Sequence, residues 1–431
     1  MDGIKETLLP PEADEVEVTL IGGTAGYGES VVIHIGNGHW IVVDSCMNSA
    51  NGKCAPLSYL YDFYGEDEVG KHLKYVICSH WHEDHIKGLS ELINSCTDQT
   101  VFVISCADDR EKYIYEMMKR CDYPGLSRNL IELTESINKA NSKKIKIKRA
   151  EQDKLIFNSE GVLCYALSPS EIEIKKFNQE IANAQALYHK SLSQVAKLKS
   201  LDNATIEDAE KIEESFFDGF SELIKDKIDE EPVTAGEVEN LLNYKDNQKD
   251  VANDRCVAML LSFNGHHLIL GADLEYNEKQ SPEGGWQSVT TCECMNNVEA
   301  NLFKIPHHGS HTGYYDYFLK TFIKPDAVSK LTSWLRGTST LPKTNMLKKY
   351  YNHSKNLYIT TTSLLKKKNK EKDKTFRDIM NSVAEDIYEF KPSIGLIRSR
   401  MKKTSTDDVW QTDFFGSAKK IEKEYLDSLN D

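Results

Sequence analysis

The sequence predicts an α/β fold, a sandwich of sheets interrupted by a helical insertion. Short β-branched runs bounded by glycine turns alternate with helical patterns up to about residue 170. Between 171 and 250 the pattern changes to helical spacing with many charges and almost no glycine, and strand runs then resume and continue nearly to the end. At 431 residues the chain exceeds the roughly 100–200 residues of one ordinary domain. The expected organisation is a first half over 1–170, an insertion over 171–250 and a second half over 251–431.

Residues 15–45, "EVEVTLIGGTAGYGESVVIHIGNGHWIVVDS", open the sheet: an alternating run, two further apolar runs and a "GNG" turn between the last two. The glycines of "GGTAGYGES" follow a strand but precede another strand, so they mark turns and not a dinucleotide site. "LKYVICS" and "TVFVIS" are further strands, with helical patterns at "IKGLSELINSC" and "DREKYIYEMMKRC". After the insertion, "CVAMLLSFNGHHLILGAD" reads as a hairpin around "NG", which places His266 and His267 in an exposed turn. "ANLFKIPHHGS", "DAVSKLT", "NLYITT" and "SIGLIRSRM" complete the strands.

Composition narrows the function classes. The chain is 40% hydrophobic and 28% charged, as for a globular protein. The N-terminal residues are acidic and no run approaches the roughly 18–20 apolar residues that span a bilayer, so no membrane role and a cytoplasmic location are expected. A net charge of −14 gives no global attraction to polyanions. Nucleic acid would need a local patch, for which 366–374 and 398–403 are the basic candidates, or bound metals. The ten cysteines are scattered, which suits reduced thiols, and the C-x-C of Cys292 and Cys294 lacks the four ligands of a zinc site.

The chemistry concentrates in "CSHWHEDHIKGL". Three histidines and two acids fall within six positions, His80 to His85, directly after an apolar strand. In an extended or loop segment residues i and i+2 point the same way, so His80 and His82 can grip one ion while Asp84 and His85 turn to a neighbouring position. A single ion rarely uses four such donors, and a pair of ions about 3.5–4 Å apart accommodates them. The segment also reads as a helix start, with Ser79 as N-cap, and both readings can hold together. Asp273 ends "HLILGAD", where a carboxylate at the tip of a buried strand is costly unless paired or coordinated. Asp44 ends "WIVVD", and His307, His308 and His311 follow the strand of "KIPHHGSHTG". Four strand tips thus carry metal-type donors that could converge on one edge of a sandwich. His311 is open between contact and loop structure, whereas His34, His39, His72 and His353 lack clustered partners and read as ordinary strand or surface residues.

Taken together, "GYGESVVIHI" with "IVVDS", "SHWHEDHIKGL", "NDRCVAMLL", "GADLE" and "KIPHHGS" resemble the metallo-β-lactamase-fold hydrolases, and within them the ComEC-like branch of DNA-uptake nuclease domains. The resemblance covers about 15–170 and 251–400. It implies an αββα sandwich with a dimetal site between the sheet edges, His80 and His82 holding one ion, Asp84 and His85 the other, and Asp273 bridging. Asp44 would orient the histidine loop. One of His307 and His308 would complete the second ion or contact the scissile group: the family pattern points to His308, the strand tip to His307. Two positions depart from the family, since "CYALSPSEI" carries no histidine and "RGTSTLPKTNML" offers Ser339 and Thr340. The nearest histidine to the first, His189, lies in the insertion.

The resemblance implies a metal-dependent hydrolase with two divalent ions, Zn or Mn, Asp84, His307 and His308 serving catalysis, and DNA or another phosphodiester as substrate. A smaller phosphoester, such as a cyclic nucleotide or a choline phosphate group, fits the same chemistry. Stand-alone relatives of this type look bacterial. A different class remains open, a partner-dependent subunit whose helices at 171–250 dock another protein.

Overall fold

In this computed structural model the described residues are 9–23, 28–48, 51–106, 128–175, 253–276, 284–336, 339–362 and 394–429. The helical pattern at 109–121, the insertion beyond residue 175 with its proposed partner role, His189 and the basic run 366–374 lie outside them.

The first part of the chain supplies β1 (Glu15–Gly22), β2 (Glu29–His34), β3 (Trp40–Val43), a small hairpin of β4 (Met47–Asn48) and β5 (Lys53–Cys54), then β6 (Leu73–Ile77), β7 (Val101–Ser105), β8 (Lys146–Ala150), β9 (Leu155–Ser159) and β10 (Val162–Ala166). The later part supplies β11 (Met259–Phe263), β12 (His266–Leu270), β13 (Ala300–Lys304), β14 (Ile323–Leu331), a hairpin of β15 (Trp334–Arg336) and β16 (Ser339–Leu341), β17 (Leu357–Ile359), β18 (Gly395–Lys402), β19 (Gln411–Gly416) and β20 (Lys419–Lys420). Two eight-stranded sheets result, in the orders β19-β18-β1-β2-β3-β6-β7-β8 and β20-β17-β14-β13-β12-β11-β10-β9. Each sheet contains a parallel block, β3-β6-β7-β8 in the first and β12-β13-β14-β17 in the second. The halves are interlocked: β9 and β10 join the second sheet, and β18 and β19 return to the first.

The sheets pack face to face through Val18, Leu20, Ile33, Val43, Ile77 and Val103 on one side and Met259, Leu261, Leu268, Leu270 and Leu302 on the other. Their outer faces are covered by helices. Ala55–Tyr64, Leu89–Ser95 and Arg128–Ser142 flank the first sheet, burying Leu57, Leu60, Leu92, Ile93 and Ile137 against Trp40, Val76 and Phe102. Asp316–Phe322 and Thr344–His353 flank the second, burying Phe318, Leu347 and Tyr350 against Ile269 and Phe303. The layers are therefore αββα. Among the described residues no helix is long and apolar enough to cross a membrane.

Polar ties hold the layers in register. Lys330 of β14 is fully buried and donates to the carbonyls of Val18 (2.7 Å) and Ile397 (3.2 Å), which links the second sheet to β1 and β18 of the first. Burial holds its ammonium well below the usual lysine value. Glu17 alternates with valines in β1 yet is buried, where it accepts from Tyr59 Oη (2.6 Å), Thr19 Oγ1 (2.9 Å) and Arg400 Nε (2.7 Å).

Three sequence expectations change here. Residues 398–403 are no free basic patch: 398–402 run through β18, with Arg400 on Glu17, Arg398 on Asp413 and Lys402 on Glu12, and Lys403 just beyond it donates to the Glu160 carbonyl. Neither His266 nor His267 is in the hairpin turn, which is Asn264–Gly265 with both residues in the left-handed region. Both lie in β12, His267 half-buried and His266 buried, with His266 Nδ1 facing Asp408 Oδ1 at 2.8 Å and Nε2 facing the Ser405 carbonyl at 2.9 Å. Strands β8, β9 and β19 had no sequence signal because each is an outer strand with exposed or charged positions.

Gly22 and Gly395, paired across β1 and β18, both pack directly on Thr360, and a methyl group on Gly395 would overlap the Thr360 carbonyl. Gly395→Ala is therefore expected to destabilise the fold by about 1–3 kcal/mol, through overpacking. Chemical denaturation checks this; an unchanged midpoint would mean that the sheets separate there without cost.

Candidate metal centre

Strand direction brings the donors together. Asp44 follows β3, Ser79 and His80 follow β6, Asp273 follows β12, and His307 and His308 follow β13, all at the C-terminal ends of the parallel blocks. Such ends are where open α/β sheets place their sites, since the loops leave the sheet there. The backbone is strained at the same place: Asp44, Ala272, His307 and His308 all have positive φ, between 43° and 59°.

Asp44 organises the histidine loop. Its Oδ1 accepts the Ser79 N–H (2.6 Å), and its Oδ2 accepts the Ser79 hydroxyl (2.6 Å) and the His85 Nδ1–H (2.8 Å). The backbone adds Asp44 N–H to the Ile77 carbonyl (2.8 Å) and Ser45 N–H to the His85 carbonyl (2.7 Å). Ser79 is thus committed to Asp44 and does not cap a helix; the short helix Glu83–Ile86 starts after His82.

The remaining atoms converge. His85 Nε2 lies 3.3 Å from Asp273 Oδ2 and 4.0 Å from Asp84 Oδ2. His308 Nε2 lies 3.1 Å from Asp84 Oδ2 and 3.8 Å from Asp273 Oδ2, and His80 Nε2 lies 3.9 Å from Asp273 Oδ2. Two groups of three donors each fall within 4.8 Å: Asp84, His85 and His308, and His80, His85 and Asp273. Every one of these side chains is buried. His82 sits beside them, half-buried, its Nδ1 3.0 Å from His80 Nε2, and joins neither group.

Of the two neighbouring histidines, it is His308 that enters the cluster. His307 pairs with Glu275 instead, Nδ1 to Oε1 at 2.7 Å, and Thr312 Oγ1 (2.8 Å) and Asn253 Nδ2 (3.3 Å) donate to the same carboxylate oxygen. His311 is exposed in the following loop. The departures from the family pattern bring no ligand: Ser168 donates to the Cys256 carbonyl and accepts the Ala258 N–H, and Ser339 and Thr340 form β16.

Several site residues escaped the sequence reading. Glu29, inside "GYGES", pairs with buried Lys304, inside "KIPHHGS", and Lys304 also donates to the Ala272 carbonyl at 3.0 Å. Thr332 donates its hydroxyl to Glu29 and lies 2.8 Å from His308 Nδ1. Glu29, Lys304 and Glu275 stood in the quoted motifs; Thr332 carried no signal.

The hydrogen-bond directions decide what the cluster fits. A carboxylate only accepts, so Asp44 requires the proton of His85 on Nδ1, and a neutral ring then presents a lone pair at Nε2. Thr332 spends its one proton on Glu29, so it accepts from His308 Nδ1–H, which again leaves a lone pair at Nε2. Those lone pairs face the oxygens of Asp273 and Asp84 at 3.3 and 3.1 Å. Such pairs repel unless a cation lies between them or a proton on the ring nitrogen joins them. His85 Nε2 and the other carboxylate oxygen of Asp273, Oδ1, are buried without a hydrogen-bond partner. The protons of the rings themselves are the alternative source of that positive charge. Burial disfavours a charged His85, but Asp273 and Asp84 outweigh it and hold the imidazole well above its usual value. Burial likewise opposes ionised Asp273, and His85 and His308 overcome it. Burial and the charge of His85 push His80 well down, which keeps it neutral and able to coordinate. Imidazole nitrogens and carboxylate oxygens in this arrangement suit a divalent cation.

Because Asp44 fixes the His85 ring, Asp44→Asn is expected to weaken divalent-metal binding by about 10–100-fold. A competition titration against a chromophoric chelator measures this, and wild-type affinity in the variant would contradict the positioning role.

Residues 23–101 match the family model described as the Metallo-beta-lactamase superfamily, a span that holds His80, His82, Asp84 and His85 and ends before Asp273 and His308. No curated protein matches the chain. Similar solved structures include the metallo-beta-lactamase fold protein YhfI from Bacillus subtilis, 13% identical over 80% of this chain and 95% of that one, with a TM-score of 0.34. Zn2+-bound PqqB from Methylobacterium extorquens is 7% identical over 67% and 71%, with a TM-score of 0.30. A metallo-beta-lactamase motif mutant from Cronobacter sakazakii is 14% identical over 35% and 50%, with a TM-score of 0.22. Two packed sheets between two helical layers, with the histidine loop inside the matched span, make this an α/β protein of the metallo-β-lactamase fold.

Proposed function

We propose that the chain is a metal-dependent phosphodiesterase that works with two divalent ions, Zn2+ or Mn2+, and that nucleic acid is its leading substrate. The observation that carries this is the convergence of the His85 and His308 Nε2 atoms on the Asp84 and Asp273 carboxylates. Asp84, His85 and His308 would hold one ion and His80 the other, with Asp273 shared, and His82, beside His80 but outside both groups, would have to turn toward that ion to join it. When bound, the ions supply Lewis-acid stabilisation of a phosphoryl oxygen and make water a nucleophile near neutral pH.

The chain's own groups do the rest. Asp44 and Thr332 hold the rings of His85 and His308 in the tautomers that coordinate. His307 stands beside the cluster with Nδ1 held by Glu275. A ring fixed in this way carries its proton on Nδ1 and presents a lone pair at Nε2, toward which Asn253 Nδ2 donates at 3.5 Å, so it can take up a proton from the attacking water as a general base. The strained backbone at His307 and His308 keeps the two neighbouring rings on different tasks.

One observation favours a smaller phosphodiester as the second reading. The basic residues of 398–403 are spent on pairs within the fold, and the net charge is −14, so a long polyanion gains little from the described surface. The test is elemental analysis of the wild type and of Asp84→Ala with His85→Ala, each assayed with Mn2+ on single-stranded DNA, double-stranded DNA and bis-p-nitrophenyl phosphate. About two ions per chain are expected, with cleavage lost in the double variant and after chelation. One ion or none, and no cleavage of any substrate, would move the reading to a partner-dependent subunit. His307→Ala should keep its metal and lose about 10²–10⁴-fold in kcat. An unchanged kcat would remove His307 from the chemistry.

A further inference from the structure

We propose that Asp153, Cys292 and Cys294 form a separate metal site for a thiophilic divalent ion such as Zn2+. In sequence the two cysteines are a C-x-C pair without further ligands. The fold supplies the third: Asp153, in the turn between β8 and β9, meets the turn Glu293–Met295, and a carboxylate oxygen and both Sγ atoms lie within 4.8 Å of one another. Neither thiol is in a disulfide, and that of Cys292 donates to the Ser288 carbonyl at 3.8 Å.

The carboxylate is anchored where a ligand would be needed. Its Oδ1 accepts the Cys294 N–H (3.0 Å) and its Oδ2 the Glu293 N–H (3.1 Å), and each oxygen keeps a second lone pair. Capping of the turn accounts for the carboxylate but not for two thiols that converge on it. In tetrahedral coordination by sulfur and oxygen, neighbouring donors stand roughly 3.4–3.8 Å apart, so closing on an ion requires a contraction of at most about 1 Å. Cys292 is buried, whereas Cys294 and Asp153 are half-buried, which leaves an open side for a water as fourth ligand and a route of entry. Binding exchanges the two thiol protons for one divalent ion, with both protons released to solvent and no change of oxidation state.

The site shares no donor with the histidine cluster, which contains no sulfur, so the two can be read independently and this inference does not rest on the proposed hydrolysis. The test is a Cd2+ titration of the full, reduced chain, followed by the ultraviolet thiolate-to-cadmium charge-transfer band. Wild type is expected to develop a band that saturates at one sulfur-bound ion. The same band should persist in Asp84→Ala with His85→Ala. Cys294→Ser, at a half-buried position that leaves the core intact, should lose at least half the band and bind about tenfold or more weakly. Asp153→Asn should weaken binding while the band per bound ion stays the same. No band in the reduced wild type, or an undiminished band in Cys294→Ser, would overturn the proposal. So would a Cys292–Cys294 disulfide whose reduction still yields no Cd2+ uptake.

Discussion

Glu29, Asp44, Asp84 and Asp273 are carboxylates buried together where two sheets meet, and a buried charge is expensive unless something answers it. Most of the local architecture is an answer. Lys304 compensates Glu29, with burial opposing the charge and the ammonium overcoming it. Ser79 and the His85 N–H satisfy Asp44. Asp84 and Asp273 are left facing the Nε2 atoms of imidazoles whose Nδ1 atoms are already spent on Asp44 and Thr332. The demand for positive charge is therefore focused between the two residues that sit on opposite sheets.

The sandwich exists in the form that meets this demand. Parallel strands from each sheet end at the same edge, so loops from both sides deliver donors to one volume. The cost appears in the backbone, where Asp44, Ala272, His307 and His308 adopt left-handed conformations at about 1–3 kcal/mol each. Ties between the sheets, such as Lys330 on the carbonyls of β1 and β18, keep them from sliding and so preserve distances of 3–4 Å at the edge.

The parts legible in the sequence were those whose signal is local. His80, His82, Asp84 and His85 are crowded into one loop, and Asp273 and His308 each sit just beyond an apolar strand, so their proximity follows once the strands are placed. The αββα layering was implied by those motifs in combination. What was not legible depends on partners distant in the chain: Thr332 between His308 and Glu29, Glu275 on His307, Asp153 on the C-x-C turn. Hydrogen bonds of this kind leave no periodicity. His266 misled because "NG" and the histidines adjoin, yet its partner Asp408 lies far along the chain and draws it inside. The basic run 398–403 misled for a related reason, since charge composition does not reveal that Glu17 is buried opposite Arg400.

The centre stands or falls on whether a cation occupies the space between the facing lone pairs and carboxylates. Anomalous diffraction from crystals grown with Zn2+, collected on both sides of the zinc absorption edge, reads this directly. A peak bounded by Asp84, His85, Asp273 and His308 is the predicted result. A map with no peak there, and with His308 bonded straight to Asp84, would show the cluster to be an ion-paired core and not a metal centre.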